Sequence, residues 1–294
     1  MERKEVETMP AIYAHFVFGE KMKKVYSPQL KEKALHSPEL FEIGLHGPDI
    51  LFYYHPLGKN RVNQTGYRMH EQPGGEFFRS AAEKLKSLPG DEQGDALSYL
   101  LGFLCHFTLD RSCHPYIENK IKVDGVTHNR IETDFDRYLL VEEGRTPLKR
   151  KTTGHLHPSR GNSAVIRKFF DGITTEEVEK ALESMVRYND LLTTPNPWLR
   201  ALIQGGMRLS GSYRSLRGLL MDREEDPACR DSCARLEKLM NRAVKTGVLL
   251  TENYLGYLEG KNGLAEEFED TFGPGENWEQ IPVLSLEEEL CYEI

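Results

Sequence analysis

The sequence predicts an all-α protein, and three observations support this fold class. Apolar residues recur at intervals of three and four through most of the chain, which is the period of helices that bury one face. No series of short segments alternates apolar and polar residues as the strands of a sheet would, so at most one small hairpin is expected. Breakers such as Pro89-Gly90 divide the chain into segments of helical length.

We expect one multi-helix domain over residues 9–262, followed by a loosely attached acidic tail over residues 263–294. Near the start of this domain, residues 28–46 have helical spacing that Pro38 interrupts. The aromatic run GPDILFYYHPLG comes next and is bracketed by turn residues.

Two further helices follow a polar stretch. Residues 59–75 resemble a loop, with room for a short helix before Pro73, and a helix is then predicted from Gly75 to Leu88. The next helix starts near Asp91 and runs through DALSYLLGFLCHFTLD. Apolar residues occur almost all round this helix, which predicts that it is buried rather than amphipathic.

The end of this apolar helix is predicted from a proline. Pro115 disfavours the helical conformation at His114, so we expect the helix to end there. A turn at Asp124-Gly125 then leads into HNRIETDFDRYLLVEE, which has helical spacing.

The second half contains one basic stretch and three helices. Residues 144–163 are basic and low in apolar residues, which predicts a long surface loop. Four histidines without partners at suggestive spacing are expected at the surface, namely His36, His46, His155 and His157. The three helices are predicted over residues 174–193, 198–222 and 229–260.

The composition is that of an ordinary globular protein without a stable nucleic-acid partner. The formal net charge is −8, whereas nucleic-acid-binding domains usually carry a basic surface. The start of the chain lacks the apolar core of a secretory signal, and no run approaches the ~18 apolar residues of a membrane span. The five cysteines are scattered, and Cys229 and Cys233 are expected to be reduced surface thiols. We therefore expect a cytoplasmic protein with at most peripheral membrane contact.

The stretch HFTLDRSCHPYIE follows SYLLGFLC, one of the most apolar runs in the chain, and places ionisable residues in its continuation. Buried ionisable groups are costly unless they are paired or bind a metal. His106 and Asp110 are four residues apart, so their Cβ atoms lie ~5–6 Å from each other on a helix, and His114 follows one turn later. His128 and Glu132 repeat the spacing. These residue types suit zinc, and also manganese or iron, although hydrogen-bonded pairs in a polar core are the alternative.

The combined pattern resembles the zinc-dependent phospholipase C family, whose fold is shared with single-strand-specific zinc nucleases. That family carries H-x-x-x-D, a histidine followed by proline, and H-x-x-x-E about fourteen residues later, which is the distance from His114 to His128. The sequence has no G-x-S-x-G, P-loop, G-x-G-x-x-G or H-E-x-x-H motif that would indicate another chemistry. Three family positions upstream are matched by His15 in YAHF, Asp49 in GPD and His70 in YRMH.

The resemblance, which covers roughly residues 9–140, implies a cluster of two or three zinc ions. It implies that the first ion is held by Asp49, His70, His106 and Asp110, the second by His114, His128 and Glu132, and a third by His15 with Asp110 as a bridge. Asp49 is implied to be either a ligand or the general base. Secreted family members complete the third site with an amino-terminal tryptophan, and this sequence has no tryptophan before Trp198. The third site is therefore expected to be weaker or completed differently.

The function that follows is a metal-dependent phosphoric ester hydrolase of the phospholipase C type. Its substrate would be a phospholipid or another phosphate ester, and the metal cluster would activate water for in-line attack on phosphorus. Two alternatives remain open on the sequence. One is a nuclease or nucleotide phosphatase on the same scaffold, and the other is a non-catalytic, metal-stabilised binding protein.

Overall fold

A computed structural model describes residues 12–294 and confirms the all-α prediction. The predicted domain start at residue 9 lies outside these residues. The helices, in chain order, are α1 Tyr13–Val25, α2 Pro28–Ala34, α3 Pro38–Gly44, α4 Arg61–Glu71, α5 Gly74–Ser87, α6 Gly90–Asp124, α7 His128–Glu142, α8 Arg160–Ile166, α9 Thr175–Leu192, α10 Pro197–Leu209, α11 Tyr213–Leu216, α12 Arg230–Leu258 and α13 Leu286–Cys291. Within residues 12–294 the only β-type pairing is one isolated bridge between Pro73 and Thr271.

Helix α6 forms the centre of the fold, as its uniformly apolar sequence predicts. It packs against α1, α2, α3, α5 and α12, and residues 98–110 in its central part are all buried. Helix α3 crosses α6 at two glycines, because a Cβ atom on Gly44 or Gly102 would collide with the backbone of the opposite helix. This close crossing places the following 3₁₀ segment, Gly47–Tyr53, directly against α6.

The prediction that Pro115 ends the apolar helix is wrong. Helix α6 continues through Pro115 to Asp124, where Gly125 terminates it in the left-handed conformation. A proline inside a helix removes one backbone hydrogen bond and costs about 3 kcal/mol. Tyr116 and Ile117 are buried just beyond the proline, so tertiary packing stabilises the helical conformation that local preference disfavours. His114 consequently lies within the helix.

The segment predicted as a surface loop, residues 144–163, is partly buried. Leu148 and Leu156 join the main hydrophobic core, and α8 starts at Arg160. His155 is also buried, with its ring stacked on Phe16. The segment has few apolar residues, but these side chains are directed inward. The amino-acid composition on which the prediction rested does not show the direction of individual side chains.

Two more surface predictions need correction, whereas His36 and His157 are exposed as expected. His46 is buried, and its Nε2 lies 2.7 Å from the Nε2 of His155. Cys229 and Cys233 are free but buried, because the start of α12 packs against the core.

The expectation of a loosely attached tail is also not met. Phe268 and Phe272 are buried in the main core, which anchors the segment after α12. Further along, the Glu289 carboxylate is buried and accepts hydrogen bonds from Arg235 at 2.6–2.9 Å. The acidic composition predicted solvation, but the aromatic side chains and this ion pair bind the segment to the helices.

Among the helices that the structure describes, none has both the length and the apolarity required to cross a bilayer.

A test of the tail packing is Phe268→Ala. Removing this fully buried ring should lower the free energy of unfolding by about 3–5 kcal/mol, because it deletes apolar contacts and leaves a cavity. Leu290→Ala, at an exposed position of the same segment, is the matched control and should change it by less than about 0.5 kcal/mol. Chemical denaturation measures both, and two equally small losses would restore the loosely attached tail.

Candidate metal centre

The structure brings together all eight residues that the sequence singled out. Five elements supply them, with His15 on α1, Asp49 on the 3₁₀ segment, His70 on α4, His106, Asp110 and His114 on α6, and His128 and Glu132 on α7. They form two adjacent groups that share α6, and the spacing of four along α6 and α7 keeps each helix's members on one face.

The first group consists of Asp49, His70, His106 and Asp110. The Nε2 atom of His70 lies 3.0 Å from Oδ1 of Asp49 and 3.8 Å from Oδ2 of Asp110. The Nε2 atom of His106 has the reverse arrangement, 3.0 Å from Oδ2 of Asp110 and 3.8 Å from Oδ1 of Asp49. Two imidazole nitrogens and two carboxylate oxygens therefore surround one small space.

His15 adjoins this first group through the other oxygen of Asp110. Its Nε2 atom lies 3.3 Å from Oδ1 of Asp110, and its ring stacks on that of His106. The two carboxylate oxygens of Asp110 thus face different histidines. A carboxylate in this position is able to bridge two ions.

The second group consists of His114, His128 and Glu132. The Oε1 atom of Glu132 lies 3.0 Å from Nε2 of His128 and 3.6 Å from Nε2 of His114. Ligand atoms of all three residues lie within 4.8 Å of one another. Two imidazoles and one carboxylate match the three protein ligands of a zinc site that leaves a position open for water.

Unsatisfied buried atoms show that the first group fits a divalent cation. Both ring nitrogens of His106, Nδ1 of His15 and Oδ1 of Asp49 are buried without a hydrogen-bond partner. Such atoms are rare in folded proteins because each loses its hydration without compensation. Ligands of tetrahedral zinc at about 2.0–2.2 Å would lie about 3.3–3.6 Å apart, and the separations here range from 3.0 to 3.8 Å.

Two carboxylates of the centre, Asp110 and Glu132, stay ionised despite their burial. Burial raises the pKa of Asp110, but the neighbouring His106 and His114 hold that pKa well below its ordinary value. Burial also raises the pKa of Glu132, but His128 and His114 lower it by more, so the pKa lies below its ordinary value. For His114 burial lowers the pKa, while Asp110 and Glu132 raise it to about 10. A metal ion that binds His114 would therefore displace a proton from its imidazole.

Backbone carbonyls orient two of the histidines. Nδ1 of His70 lies 2.9 Å from the carbonyl oxygen of Gly66, and Nδ1 of His114 is hydrogen-bonded to the carbonyl of Phe272. An imidazole that donates from Nδ1 presents Nε2 as a metal ligand, and such partners fix its orientation. Phe272 belongs to the segment predicted as a tail, so sequence reasoning missed its contribution.

Asp136 is a second residue that sequence reasoning missed. It lies four residues after Glu132 on α7 and accepts hydrogen bonds from the backbone N–H groups of Ile12, Tyr13 and Ala14 at 2.7–3.0 Å. Burial raises the pKa of Asp136 to about 7 against the effect of these bonds. The spacing His128, Glu132, Asp136 was the available signal. This carboxylate caps the end of α1 that carries His15.

A cavity of about 180 Å³ gives access to both groups. Its wall contains Asp49, His70 and Asp110 from the first group, and His114, His128 and Glu132 from the second. Phe52 and Tyr67 also line it, with their rings stacked at 4.4 Å, and Gly273-Pro274 closes one side.

Comparison with protein families agrees with this geometry. The family described as zinc dependent phospholipase C matches residues 14–181, which is more than half of the chain and includes all eight residues of the centre. The chain therefore belongs to the zinc-dependent phospholipase C family and is a metal-dependent hydrolase with candidate zinc ligands. Comparison with curated proteins and with solved structures gave no significant match.

Asp136→Ala tests whether α7 fixes His15 through the end of α1. Three amide groups would lose their acceptor, so we expect the free energy of unfolding to fall by about 2–4 kcal/mol and the zinc content per chain to decrease. Asp136→Asn keeps one acceptor oxygen, so it should recover part of the lost free energy of unfolding and part of the lost zinc content. Denaturation and mass spectrometry for metals measure the two effects.

The control for this test is Asp171→Ala, which removes an exposed carboxylate. It should leave stability and zinc content unchanged. Wild-type stability and zinc content in Asp136→Ala would show that the cap does not position His15.

Proposed function

We propose that this protein hydrolyses a phospholipid or a related phosphate ester with a cluster of two or three zinc ions. The observation that carries the proposal is a cavity whose wall contains imidazoles and carboxylates of both groups, Asp49, His70 and Asp110 from the first and His114, His128 and Glu132 from the second. A phosphoryl group in that cavity would contact both groups at once. We further propose that the protein works in the cytoplasm and meets lipid only at a membrane surface.

The ligand assignment is part of the proposal. Asp49, His70, His106 and Asp110 would hold one ion, His114, His128 and Glu132 a second, and His15 with Asp110 a third. Zinc ions bound there would polarise the phosphoryl oxygens and lower the pKa of water, so that in-line attack needs no side-chain nucleophile. The usual amino-terminal tryptophan is missing, so this third site would be weaker, completed differently or empty.

The residues of the cavity would select an anionic substrate. The three carboxylates of the cluster contribute three negative charges, fewer than two divalent ions would bring. Glu118 also lines the cavity, so two divalent ions would balance its four carboxylates and a third would make the loaded cavity positive, which favours a phosphate group in a protein of net charge −8. Asp49 would either hold an ion or accept a proton from the attacking water, since Oδ1 is the atom that has no hydrogen-bond partner.

A nuclease is the second candidate, and one observation favours it. The stacked pair Phe52 and Tyr67 on the cavity wall could hold a nucleobase, since aromatic rings stack on bases without sequence preference. The same pair could contact an apolar chain or a quaternary ammonium head group. The negative net charge argues against a nucleic acid and favours the lipid.

The function is tested by assaying the zinc-loaded protein on phosphatidylcholine, a water-soluble phosphodiester and single-stranded DNA. We expect release of the phosphorylated head group and little DNA cleavage. His106→Ala should abolish hydrolysis because it removes a ligand at the middle of the cluster, while His36→Ala, an exposed histidine away from it, should retain wild-type activity. Preferred DNA cleavage would establish the nuclease instead. Folding with zinc but without hydrolysis of any ester would establish the non-catalytic binding protein.

Asp49→Asn separates the two roles proposed for this residue. The amide keeps an oxygen that can face an ion, but it cannot accept a proton. If Asp49 is the base, zinc content should stay at the wild-type value while kcat falls about 10²–10⁴-fold. If Asp49 is mainly a ligand, zinc content should fall together with activity. Metal analysis and steady-state kinetics on the same preparation decide between these outcomes, and unchanged activity would contradict both roles.

A further inference from the structure

Helix α10 exposes an apolar stripe on the surface of the protein. The side chains of Trp198, Leu202 and Leu209 are 85%, 72% and 93% exposed. At 100° per residue these three positions and Gly205 fall within about 60° of one another on the helix. One face of α10 therefore presents large apolar groups to solvent over about 16 Å of its length.

The opposite face of α10 is already occupied. Met207 is buried in a small second core with Leu192, Leu219 and Leu220, and Ile203 packs against it. Helix α10 thus carries apolar residues on two opposite faces, and Arg200, Gln204 and Arg208 lie between these faces on one side. Here only one side is covered by residues 12–294, so the stripe has no internal role in the part of the chain that the structure describes.

The stripe lies in a segment that carries arginines and no acidic residue. Residues 194–221 contain four arginines, Arg200, Arg208, Arg214 and Arg217, and an acidic stretch with Asp222, Glu224, Glu225 and Asp226 follows. Arg200 and Arg217 pair with Asp222 at 2.8–3.0 Å, so Arg208 and Arg214 are the two that remain for an outside partner. Arg208 and Arg214 are exposed, and Arg208 lies over the ring of Tyr213. Apolar side chains bordered by arginines complement a layer of lipid phosphates above acyl chains.

The same segment is attached to the metal centre. The backbone carbonyl of Ser215 accepts a hydrogen bond from Asn129 Nδ2 at 3.2 Å, and a Cβ atom on Gly218 would collide with Arg130. Both contacts are made to the first turn of α7, which carries His128 and Glu132. A membrane bound by α10 would therefore lie on the part of the molecule that adjoins the second metal group.

We propose that α10 is an interfacial helix that docks the protein on the surface of a phospholipid bilayer. Trp198, Leu202 and Leu209 enter the boundary between head groups and acyl chains, and the neighbouring arginines contact lipid phosphates. Tryptophan favours this boundary because its ring is apolar and its N–H is polar. The inference rests on the proposed function, since a lipid substrate is what makes attachment at this place useful.

The test measures binding of the zinc-loaded protein to vesicles separately from hydrolysis. The vesicles consist of a non-hydrolysable phosphonate analogue of phosphatidylcholine, with and without phosphatidylglycerol. The combined variant Trp198→Ser and Leu202→Ser should bind at least about tenfold more weakly, yet hydrolyse a water-soluble phosphodiester at the wild-type rate. Vesicle co-sedimentation measures the first quantity, and a chromogenic assay the second.

A matched control removes exposed apolar groups from another surface. Val25 and Leu249 are 50% and 63% exposed in a groove beside α12, and Val25→Ser with Leu249→Ser should bind vesicles like the wild type. In a Trp278→Phe background Trp198 is the one remaining tryptophan, so its fluorescence should shift to shorter wavelength on vesicle binding.

Four outcomes have defined meanings. Absence of vesicle binding by the wild type, or equal loss in both double variants, overturns the docking surface and leaves the proposed hydrolase intact. A dimer by light scattering that only the α10 variant abolishes also overturns it, since a second copy then covers the stripe. Vesicle binding through α10 without hydrolysis of any phosphoester supports the surface and refutes the proposed function.

Discussion

Asp110 is the buried charge on which the arrangement of the centre depends. It lies in the buried central helix α6, and one of its carboxylate oxygens faces His106 while the other faces His15. An isolated carboxylate at this depth would be strongly destabilising. Its ionised form is retained because histidines from three elements surround it, and a bound metal ion would compensate its charge in the same way. His15 and His70 thereby bring α1 and α4 to this carboxylate.

The residues around the centre divide into those that bind and those that hold the binding elements in place. Asp136 caps α1 behind His15, and the carbonyl of Phe272 orients His114. Neither would touch a substrate. Asp136 holds the helix that carries His15, and the carbonyl of Phe272 sets the direction of the His114 ring. Such support is necessary because a metal site tolerates displacements of its ligand atoms of only about 0.5 Å. The segment that appears acidic and dispensable in the sequence therefore has a positioning role.

The sequence predicted those parts of the centre that depend on local geometry. His106 with Asp110 and His128 with Glu132 follow from the helical period alone. Asp49 and His70 are on separate elements, so only the family resemblance identified them before the structure placed them beside α6. The buried contact of His46 with His155 and the packing of Phe272 join residues more than a hundred positions apart, and no periodicity encodes such distances. Pro115 failed as a helix end because burial of its neighbours outweighed a local preference.

Helices α6 and α10 both depart from the usual pattern, in which charged residues are exposed and apolar residues are buried. Helix α6 is apolar and buried, yet it carries ionisable residues of the candidate centre, which a cation would compensate. Helix α10 exposes one apolar stripe, and that stripe has no partner within residues 12–294. In both cases the departure from ordinary patterning indicates something outside the chain, because folding alone favours neither a buried carboxylate nor an exposed tryptophan. The first departure indicates a metal ion at the candidate centre. The second indicates a bilayer, in accordance with the proposal that α10 docks on lipid.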